Sequence, residues 1–231
     1  FSMAEEFDRH LFIGFQRRYD GNFKELKQQM PQLRPRVIKS CSRDNPSPSL
    51  EFLRRSANIF HDMLIHDFDM LINLNGPEPP NTIYTLAHAH DPDTAELADY
   101  DTTMVTLKYP SGLMCCIDTS RCAVYGYDQR IEVFGAEGMA IAENQRIHTL
   151  QVSTERGTLH APLDYSFPER YEESYRKEML HFIEGLHSGS RYNVTLRECL
   201  LSHLMVKAAH QSVLQNRPID FVGEYGAHLS G

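Results

Sequence analysis

The sequence predicts an α+β fold: a large, mostly antiparallel sheet with helices on one face and the other face free for oligomerisation. Strand-like runs joined by tight turns fill the stretch from about residue 82 to 163, and such connections favour antiparallel neighbours. Helical periodicity precedes this stretch at 58–74 and follows it at 171–186 and 196–214. Because all the helices can pack on one face, the opposite face remains available for contact between subunits.

Length and composition indicate a single domain, 1–231, with a substantial core. Hydrophobic content of 41% and charged content of 23% are typical of globular proteins. The net charge of −8 argues against sequence-independent binding of nucleic acid. Neither a membrane-spanning run nor a signal peptide is recognised. The cysteines are odd in number and lack C-x-x-C spacing, which is typical of reduced thiols in the cytoplasm.

The N-terminal third is predicted to alternate short helices and strands. Residues 5–9 have the pattern of a helix end, and the apolar run 11–15 is a strand candidate. The turn signal Asp20-Gly21-Asn22 precedes a helix over 23–30, and 37–42 is a second strand. The Pro- and Ser-rich stretch 42–49 is predicted to be a loop, either plainly solvated or presenting ligand contacts.

The central and C-terminal parts supply the sheet and two long helices. Strands are predicted at 82–90, 103–109, 113–120 and 129–134, with a further hairpin formed by 147–153 and 158–163. Thr195 and Glu198 form a capping box that opens the last helix. Both long helices are expected to pack on the sheet. The apolar stripe of the first consists of Tyr175, Met179, Phe182, Ile183 and Leu186.

The segment 58–74 is predicted to be the helix around which the fold is organised. Gly76-Pro77 directly after it is a helix stop signal. At 100° per residue, Phe60, Leu64 and Leu71 fall on one side and require a core.

Three polar residues of this segment, Asp62, His66 and Asp69, follow the spacing i, i+4, i+7 and stack on the opposite side. An aspartate one turn before a histidine can orient the imidazole and raise its pKa toward neutrality, as general acid–base catalysis near pH 7 requires. The same spacing also occurs on ordinary solvated helix faces, so spacing alone leaves both interpretations open.

Common cofactor and nucleophile motifs are missing from the sequence. It contains no G-x-G-x-x-G, no P-loop, no G-x-S-x-G and no H-E-x-x-H. We therefore expect neither a recognisable cofactor-binding site nor a metal site in this chain.

Three motifs occur together with a consistent order and spacing. They are Gly14-Phe15-Gln16-Arg17-Arg18-Tyr19-Asp20, then Asp62-Met63-Leu64-Ile65-His66-Asp67-Phe68-Asp69-Met70, then Tyr125-Gly126-Tyr127-Asp128-Gln129-Arg130. Ser42-Arg43-Asp44 fits a fourth. Together they resemble the C-terminal domain of the Gfo/Idh/MocA oxidoreductases, most closely the inositol 2-dehydrogenase-like members, and the resemblance covers nearly the whole chain.

The resemblance implies that this chain binds substrate and forms oligomers for an enzyme that oxidises a secondary hydroxyl of a cyclic polyol or sugar. NAD or NADP would be bound mainly by an N-terminal Rossmann domain, which is absent from this chain together with the family's catalytic lysine. Alone, the chain is expected to be inactive, because hydride transfer needs the cofactor held against the substrate. The implied partners are the small-molecule substrate, the Rossmann domain and further copies of the chain, without nucleic acid or membrane.

The resemblance also assigns roles to residues. His66 would be the acid/base that removes the substrate hydroxyl proton, and Asp62 would position the substrate and the imidazole. The remaining residues expected at the substrate are Asp69, Tyr125, Tyr127, Arg17, Arg18, Arg43 and Asp44. Packing is the alternative for the tyrosines, and surface salt bridges are the alternative for the arginines.

Two rival functions and one departure from the family pattern remain. The chain is alternatively a non-catalytic interaction domain with the same fold. A metal-dependent HD-type hydrolase would instead use His61, Asp62, His66 and Asp67 as ligands, although such folds are nearly all helical. Ala57-Asn58 replaces the Gly-Gly pair that family members often carry before the helix, and this bulk is expected to narrow the cleft or to alter the choice of substrate.

Overall fold

The computed structural model describes residues 1–189 and 192–229, and over this part of the chain a seven-stranded sheet forms the centre of the fold. Its strands are β1 Pro35–Arg43, β2 Thr82–His88, β3 Thr102–Lys108, β4 Met114–Ser120, β5 Asp128–Gly135, β6 Gly138–Ala142 and β9 Ile219–Asp220. Strands β7 Gln151–Thr154 and β8 Gly157–His160 form a separate two-stranded ribbon.

Helices precede, interrupt and follow the strands. They are α1 Ser2–Glu6, α2 Gly21–Leu33, α3 Leu50–Arg55, α4 Ile65–Asn75, α5 Pro92–Glu96, α6 Phe167–Ser188, α7 Leu196–Gln215 and α8 Phe221–Tyr225. Phe60–Leu64 is a π-helical turn that leads into α4, and Gln16–Tyr19 and Gly226–Leu229 are 3₁₀ turns. None of the described helices is both long enough and apolar enough to cross a membrane.

The order of strands in the sheet is β6-β5-β1-β4-β3-β2-β9. All neighbours pair antiparallel except β1 and β4, which are parallel. The predicted mostly antiparallel sheet is confirmed, including the meander β2-β3-β4. The sequence does not predict that β1 lies between β4 and β5, and this placement brings Asp44 beside the chain that leaves β4. The Asp44 N–H donates to the Ser120 carbonyl, and the Ala123 N–H donates to the Asp44 carbonyl.

One face of the sheet carries the helices. Helix α2 contacts β5 and β6, α7 contacts β2, and α4 packs against both helices. Inward side chains such as Ile38, Ile117 and Ile131 are buried there with Phe68 and Leu71 of α4. The opposite face is open, as predicted, and presents large apolar side chains that are 42–55% exposed. These are Leu86, Met104, Met114, Phe134, Met139 and Ile141.

Helix α6 corrects one prediction, since it packs on the 3₁₀ turn Gln16–Tyr19 instead of on the sheet. Four of its five stripe residues, Tyr175, Met179, Ile183 and Leu186, are 37–58% exposed. Periodicity predicts that a helix has an apolar face, but it does not predict which surface covers that face.

Residues 11–15 correct a second prediction, because they form no strand within the described chain. They are instead held by side chains: the ring of Phe12 lies 5.4 Å from that of Phe182 and 5.0 Å from that of Tyr192, and Phe15 is buried. A strand needs a neighbouring strand to pair with, and a short apolar run cannot indicate whether one is present.

Candidate active site

The central helix begins with an irregular turn whose start is fixed by two side chains. Asn58 Oδ1 accepts from the backbone N–H and from Nδ1 of His61, and Asp99 Oδ1 accepts from the Ile59 N–H at 3.0 Å. The π-helical turn Phe60–Leu64 follows. Such a turn holds one residue more than an α-helical turn, so it shifts the residues before it around the helix relative to those after it.

The three polar residues that the sequence placed on one side of the helix have different surroundings. Asp62 accepts from Arg121, whereas Asp69 is buried at 1% exposure and accepts from Arg18 with donor–acceptor distances of 2.6–3.1 Å. His66 bonds to neither aspartate among the described residues.

A cavity of about 650 Å³ lies beside the π-helical turn and the start of α4; we call it the main cavity. Five residues that the sequence singled out line it together: Arg17, Asp44, Asp62, His66 and Tyr127. Its remaining lining consists of Gln16, Asn45, Pro46, Ser47, Pro48, Ser49, Phe52, Met63, Arg121, Ser166, Phe167 and Tyr175. The Pro- and Ser-rich loop thus forms one wall, as the ligand-presenting interpretation expects.

His66 is partly buried, and its ring packs edge-on against Phe15 at a centroid distance of 5.8 Å. Its Nδ1 atom is buried and has no hydrogen-bond partner among the described residues, so Nε2 is the nitrogen available to the cavity. Burial, together with the charge of Arg17, lowers the pKa of His66 to about 3. The predicted upward shift by Asp62 is therefore wrong, because burial dominates and the Asp62 carboxylate is bonded to Arg121.

Arg17 supplies a buried positive charge to the cavity wall. Its Nη1 donates to Asp67 Oδ1 at 3.0 Å and its Nη2 donates to Ser42 Oγ at 3.2 Å, while Ser40 Oγ also donates to Asp67 Oδ1 at 2.9 Å. The guanidinium is held in a fixed orientation next to His66, so the cavity favours a neutral imidazole at pH 7.

Asp44 and Tyr127 complete the polar part of the cavity. Asp44 follows β1 directly, and burial raises its pKa to about 6 even though the charge of Arg17 lowers it in part. Tyr127 is buried, which raises its pKa to about 12. The cavity therefore combines a neutral base, a carboxyl group that titrates near neutrality and a phenol that keeps its proton.

Four other predicted residues lie outside the main cavity. Arg18 and Asp69 form the buried ion pair described above, behind the wall. Arg43 forms an ion pair with Asp118 and donates to Tyr125 Oη at 2.9 Å. Arg43 and Asp44 are consecutive at a strand end, so their side chains leave on opposite sides and only Asp44 reaches the cavity.

Tyr125 lines a second cavity of about 700 Å³ near the β7–β8 ribbon. Its hydroxyl donates to Asp128 Oδ2 at 2.7 Å, and Asp128 also accepts from Arg130 and Asn144. Every charge in this cluster has a partner, which indicates a structural role for Tyr125.

Sequence reasoning missed Arg121 and the aromatic rim of the main cavity. Arg121 follows β4 without a recognisable motif around it, and Phe52, Phe167 and Tyr175 come from segments far apart in sequence. The predicted narrowing by Ala57-Asn58 is wrong: neither residue lines the cavity, and Asn58 points to His61 and His210 instead.

The ligand set of the metal-hydrolase alternative does not converge. Asp62 bonds to Arg121, Asp67 bonds to Arg17, and His61 faces His203 at a ring distance of 5.6 Å. Within residues 1–189 and 192–229 there is no group of three or more His, Cys, Asp or Glu side chains suited to hold a metal ion.

Known proteins are similar to this chain in sequence and in fold. The family model for the GFO/IDH/MocA C-terminal domain matches residues 34–141. The myo-inositol 2-dehydrogenase of Thermotoga maritima is 39% identical over 212 residues, covering 90% of this chain and 64% of that protein. The scyllo-inositol 2-dehydrogenase (NAD(+)) of Bacillus subtilis is 27% identical over 210 residues, covering 90% of this chain and 61% of that protein.

A solved structure agrees with these sequence matches. The crystal structure of a "probable dehydrogenase" from Thermotoga maritima has a TM-score of 0.90 at 37% identity, covering 96% of this chain and 68% of that chain. The chain spans less than two thirds of the length of the two curated relatives above. Its sequence, its mixed sheet and its helix layer agree on one assignment: the chain belongs to the GFO/IDH/MocA family and corresponds to the C-terminal domain of its members.

Proposed function

We propose that this chain is the substrate-binding domain of an NAD(P)-dependent oxidoreductase that oxidises a secondary hydroxyl of a cyclic polyol or sugar. The observation that carries the proposal is the main cavity, where a neutral imidazole meets two carboxylates and a buried arginine. Relatives named myo-inositol 2-dehydrogenase and scyllo-inositol 2-dehydrogenase (NAD(+)) support an inositol-like substrate.

The polar groups of the cavity suit the oxidation of an alcohol. His66 is unprotonated at pH 7, but a pKa of about 3 makes it a weaker base than the near-neutral imidazole that the sequence suggested. Its Nε2 can still accept the hydroxyl proton, because that proton becomes strongly acidic as the hydride leaves the carbon. Arg17 keeps the imidazole in this neutral form. Asp62 and Asp44 can accept hydrogen bonds from further hydroxyls, which would orient a ring that carries several of them.

The cofactor supplies the hydride acceptor, and this chain provides only part of its surroundings. Phe52, Phe167 and Tyr175 at the cavity rim are 37–47% exposed and offer flat apolar surfaces that suit a nicotinamide ring. No glycine-rich turn between a strand and a helix is present in the described chain to hold a pyrophosphate. We therefore assign the binding of NAD or NADP mainly to a Rossmann domain outside this chain.

Oligomer formation and location complete the proposal. The open face of the sheet is a broad apolar surface, and the β7–β8 ribbon beside it exposes Val152 and Leu159, which pair across the two strands. Both surfaces suit contact with further copies of the chain. All five cysteines are free thiols, which is consistent with a cytoplasmic protein.

A chimaera tests the proposal. Joining this chain to the nucleotide-binding domain of the Thermotoga maritima relative is expected to give NAD-dependent oxidation of myo-inositol, measured as NADH formation. The His66→Ala variant of the chimaera should lose that activity while still binding NADH. Equal activity in both would remove the catalytic role of His66, and a chimaera that binds NADH but oxidises no myo-inositol would favour the non-catalytic interaction domain.

A further inference from the structure

We propose that Arg121, anchored by Asp99, is a positioning residue that fixes the carboxylate of Asp62 in the main cavity. The inference rests on the function proposed above. It concerns two residues that belong to none of the motifs found in the sequence.

The guanidinium of Arg121 is almost completely enclosed, and each of its three nitrogens donates one hydrogen bond. The side chain is 3% exposed; Nη1 donates to Asp62 Oδ2 at 2.7 Å and Nη2 donates to Asp99 Oδ2 at 3.0 Å. Its Nε donates to the Tyr100 carbonyl at 3.4 Å. Acceptors on three sides fix the plane of the guanidinium, which a single ion pair would not do.

Asp99 links this arginine to the start of the central helix. One carboxylate oxygen accepts from Arg121, and the other accepts from the backbone N–H of Ile59, directly before the π-helical turn. Asp62, inside that turn, is thus held twice. Arg121 fixes its carboxylate, and Asp99 fixes the backbone that leads into its turn.

As a result, one oxygen of the Asp62 carboxylate is hydrogen-bonded to Arg121 and the other is available to a ligand in the cavity. Oδ2 of Asp62 is bonded to Arg121, whereas Oδ1 has no hydrogen-bond partner among the described residues. A pre-oriented acceptor binds a ligand hydroxyl more tightly than a mobile one, because ordering the side chain no longer opposes binding. Without Arg121, Asp62 and Asp99 would also lose the cation that both share.

Four variants of the chain test the inference, with calorimetric titration of myo-inositol and crystal structures as readouts. Arg121→Met should displace the Asp62 carboxylate and weaken myo-inositol binding about tenfold, the effect of one charge-assisted hydrogen bond. Arg121→Lys should restore part of this affinity. Asp99→Asn should weaken binding, whereas Asp101→Asn should not. Asp101 is a matched control, since it is buried in the same loop but bonds to Asp91 and Thr102.

A double-mutant cycle separates positioning from general support of the fold. If Arg121 acts through Asp62, Arg121→Met should cause no further loss of affinity in the Asp62→Asn background. Equal losses in both backgrounds, or an unmoved Asp62 carboxylate in the Arg121→Met crystal, would overturn the inference.

The role of Arg121 can still be tested if the wild-type chain does not bind myo-inositol or if Arg121→Met does not fold. If the wild-type chain binds no myo-inositol, the proposed function fails on this substrate, and the position of Asp62 in the variant crystals alone decides the inference. If Arg121→Met does not fold, Arg121→Lys and Asp99→Asn carry the same comparison against Asp101→Asn.

Discussion

The main cavity and the second cavity near the β7–β8 ribbon have similar volumes, about 650 and about 700 Å³, but their titratable groups are held in opposite ways. In the main cavity, burial and Arg17 lower the pKa of His66 to about 3, and burial raises the pKa of Asp44 to about 6. Both shifts favour the neutral form of the group.

The second cavity keeps its central carboxylate ionised. Burial alone would raise the pKa of Asp128, but hydrogen bonds from Arg130, Asn144 and Tyr125 lower it to about 2. Both oxygens of this carboxylate already accept hydrogen bonds, so neither is available to a ligand.

The direction of the pKa shifts distinguishes a functional cavity from a structural one, even though both cavities are lined by polar groups. Groups whose pKa values are shifted toward the neutral form have lost solvation without gaining a full set of partners, and such groups are typical of functional sites. A carboxylate that is ionised and saturated stabilises the fold instead. Three substitutions and one pH series test this difference between the two cavities.

The largest effect is expected from His66→Gln in the NAD-dependent chimaera. Removing a general base should lower kcat by about 10²–10⁴-fold, because no other neutral base lines the main cavity within the described residues. Steady-state kinetics with myo-inositol provides the measurement, and His203→Gln, the same change outside the main cavity, is the control. A kcat within a factor of two of wild type would remove His66 from the chemistry.

The second cavity should respond in stability and not in binding. Asp128→Asn should lower the free energy of unfolding by about 2 kcal/mol, because hydrogen bonds to a charged group are lost while Arg130, which is 39% exposed, stays solvated. Urea unfolding gives this value, and calorimetry should find unchanged affinity for myo-inositol. Lost affinity with unchanged stability would reverse the roles of the two cavities.

The pH dependence of stability should reveal the neutral imidazole. The folded pKa of His66 is about 3 and its unfolded value is 6.5, so only the unfolded chain takes up this proton between pH 6.5 and 3. The contribution of His66 to the free energy of unfolding is fully present above pH 6.5. It is lost as the pH falls below 6.5, by up to about 1.4 kcal/mol per pH unit. Urea unfolding from pH 7 to 4 should find the difference between wild type and His66→Gln changing with that slope. A constant difference would mean that His66 titrates normally.

The smallest effect is expected at the helix start. Asn58→Ala should lower the free energy of unfolding by about 1 kcal/mol, since His61 loses its side-chain acceptor there. Affinity for myo-inositol should not change, because Asn58 does not line the main cavity. A clear rise in affinity would support the cleft-narrowing role that the sequence suggested.

Local patterns predicted much of the fold and less of the site. Alternation and turn residues identified the meander β2-β3-β4 and the β7–β8 ribbon, because both depend on neighbours in sequence. The parallel pairing of β1 with β4 joins segments that are far apart, and no local pattern encodes it. The sequence likewise predicted the apolar stripe of α6, but it did not predict that most of this stripe remains exposed.

The site shows the same limit. The motif from Asp62 to Asp69 was found, yet the π-helical turn Phe60–Leu64 overlaps its start, and the Ile59 N–H directly before this turn donates to Asp99, forty residues after Ile59. A regular helix therefore gave the wrong neighbour for Asp62, which bonds to Arg121 and not to His66. Burial lowers the pKa of His66, and the spacing of residues on a helix does not predict how deeply a side chain is buried.

The role of the main cavity as the substrate site is tested most directly by an NMR titration of the chain with myo-inositol at pH 7 that follows the side-chain nitrogens of its histidines. We predict that His66 gives the signal of a neutral imidazole, and that this signal moves saturably as myo-inositol is added. The signals of His61, His203 and His210, which lie outside the main cavity, should stay in place. A protonated His66, or a response confined to these other histidines, would contradict the assignment of the main cavity as the substrate site.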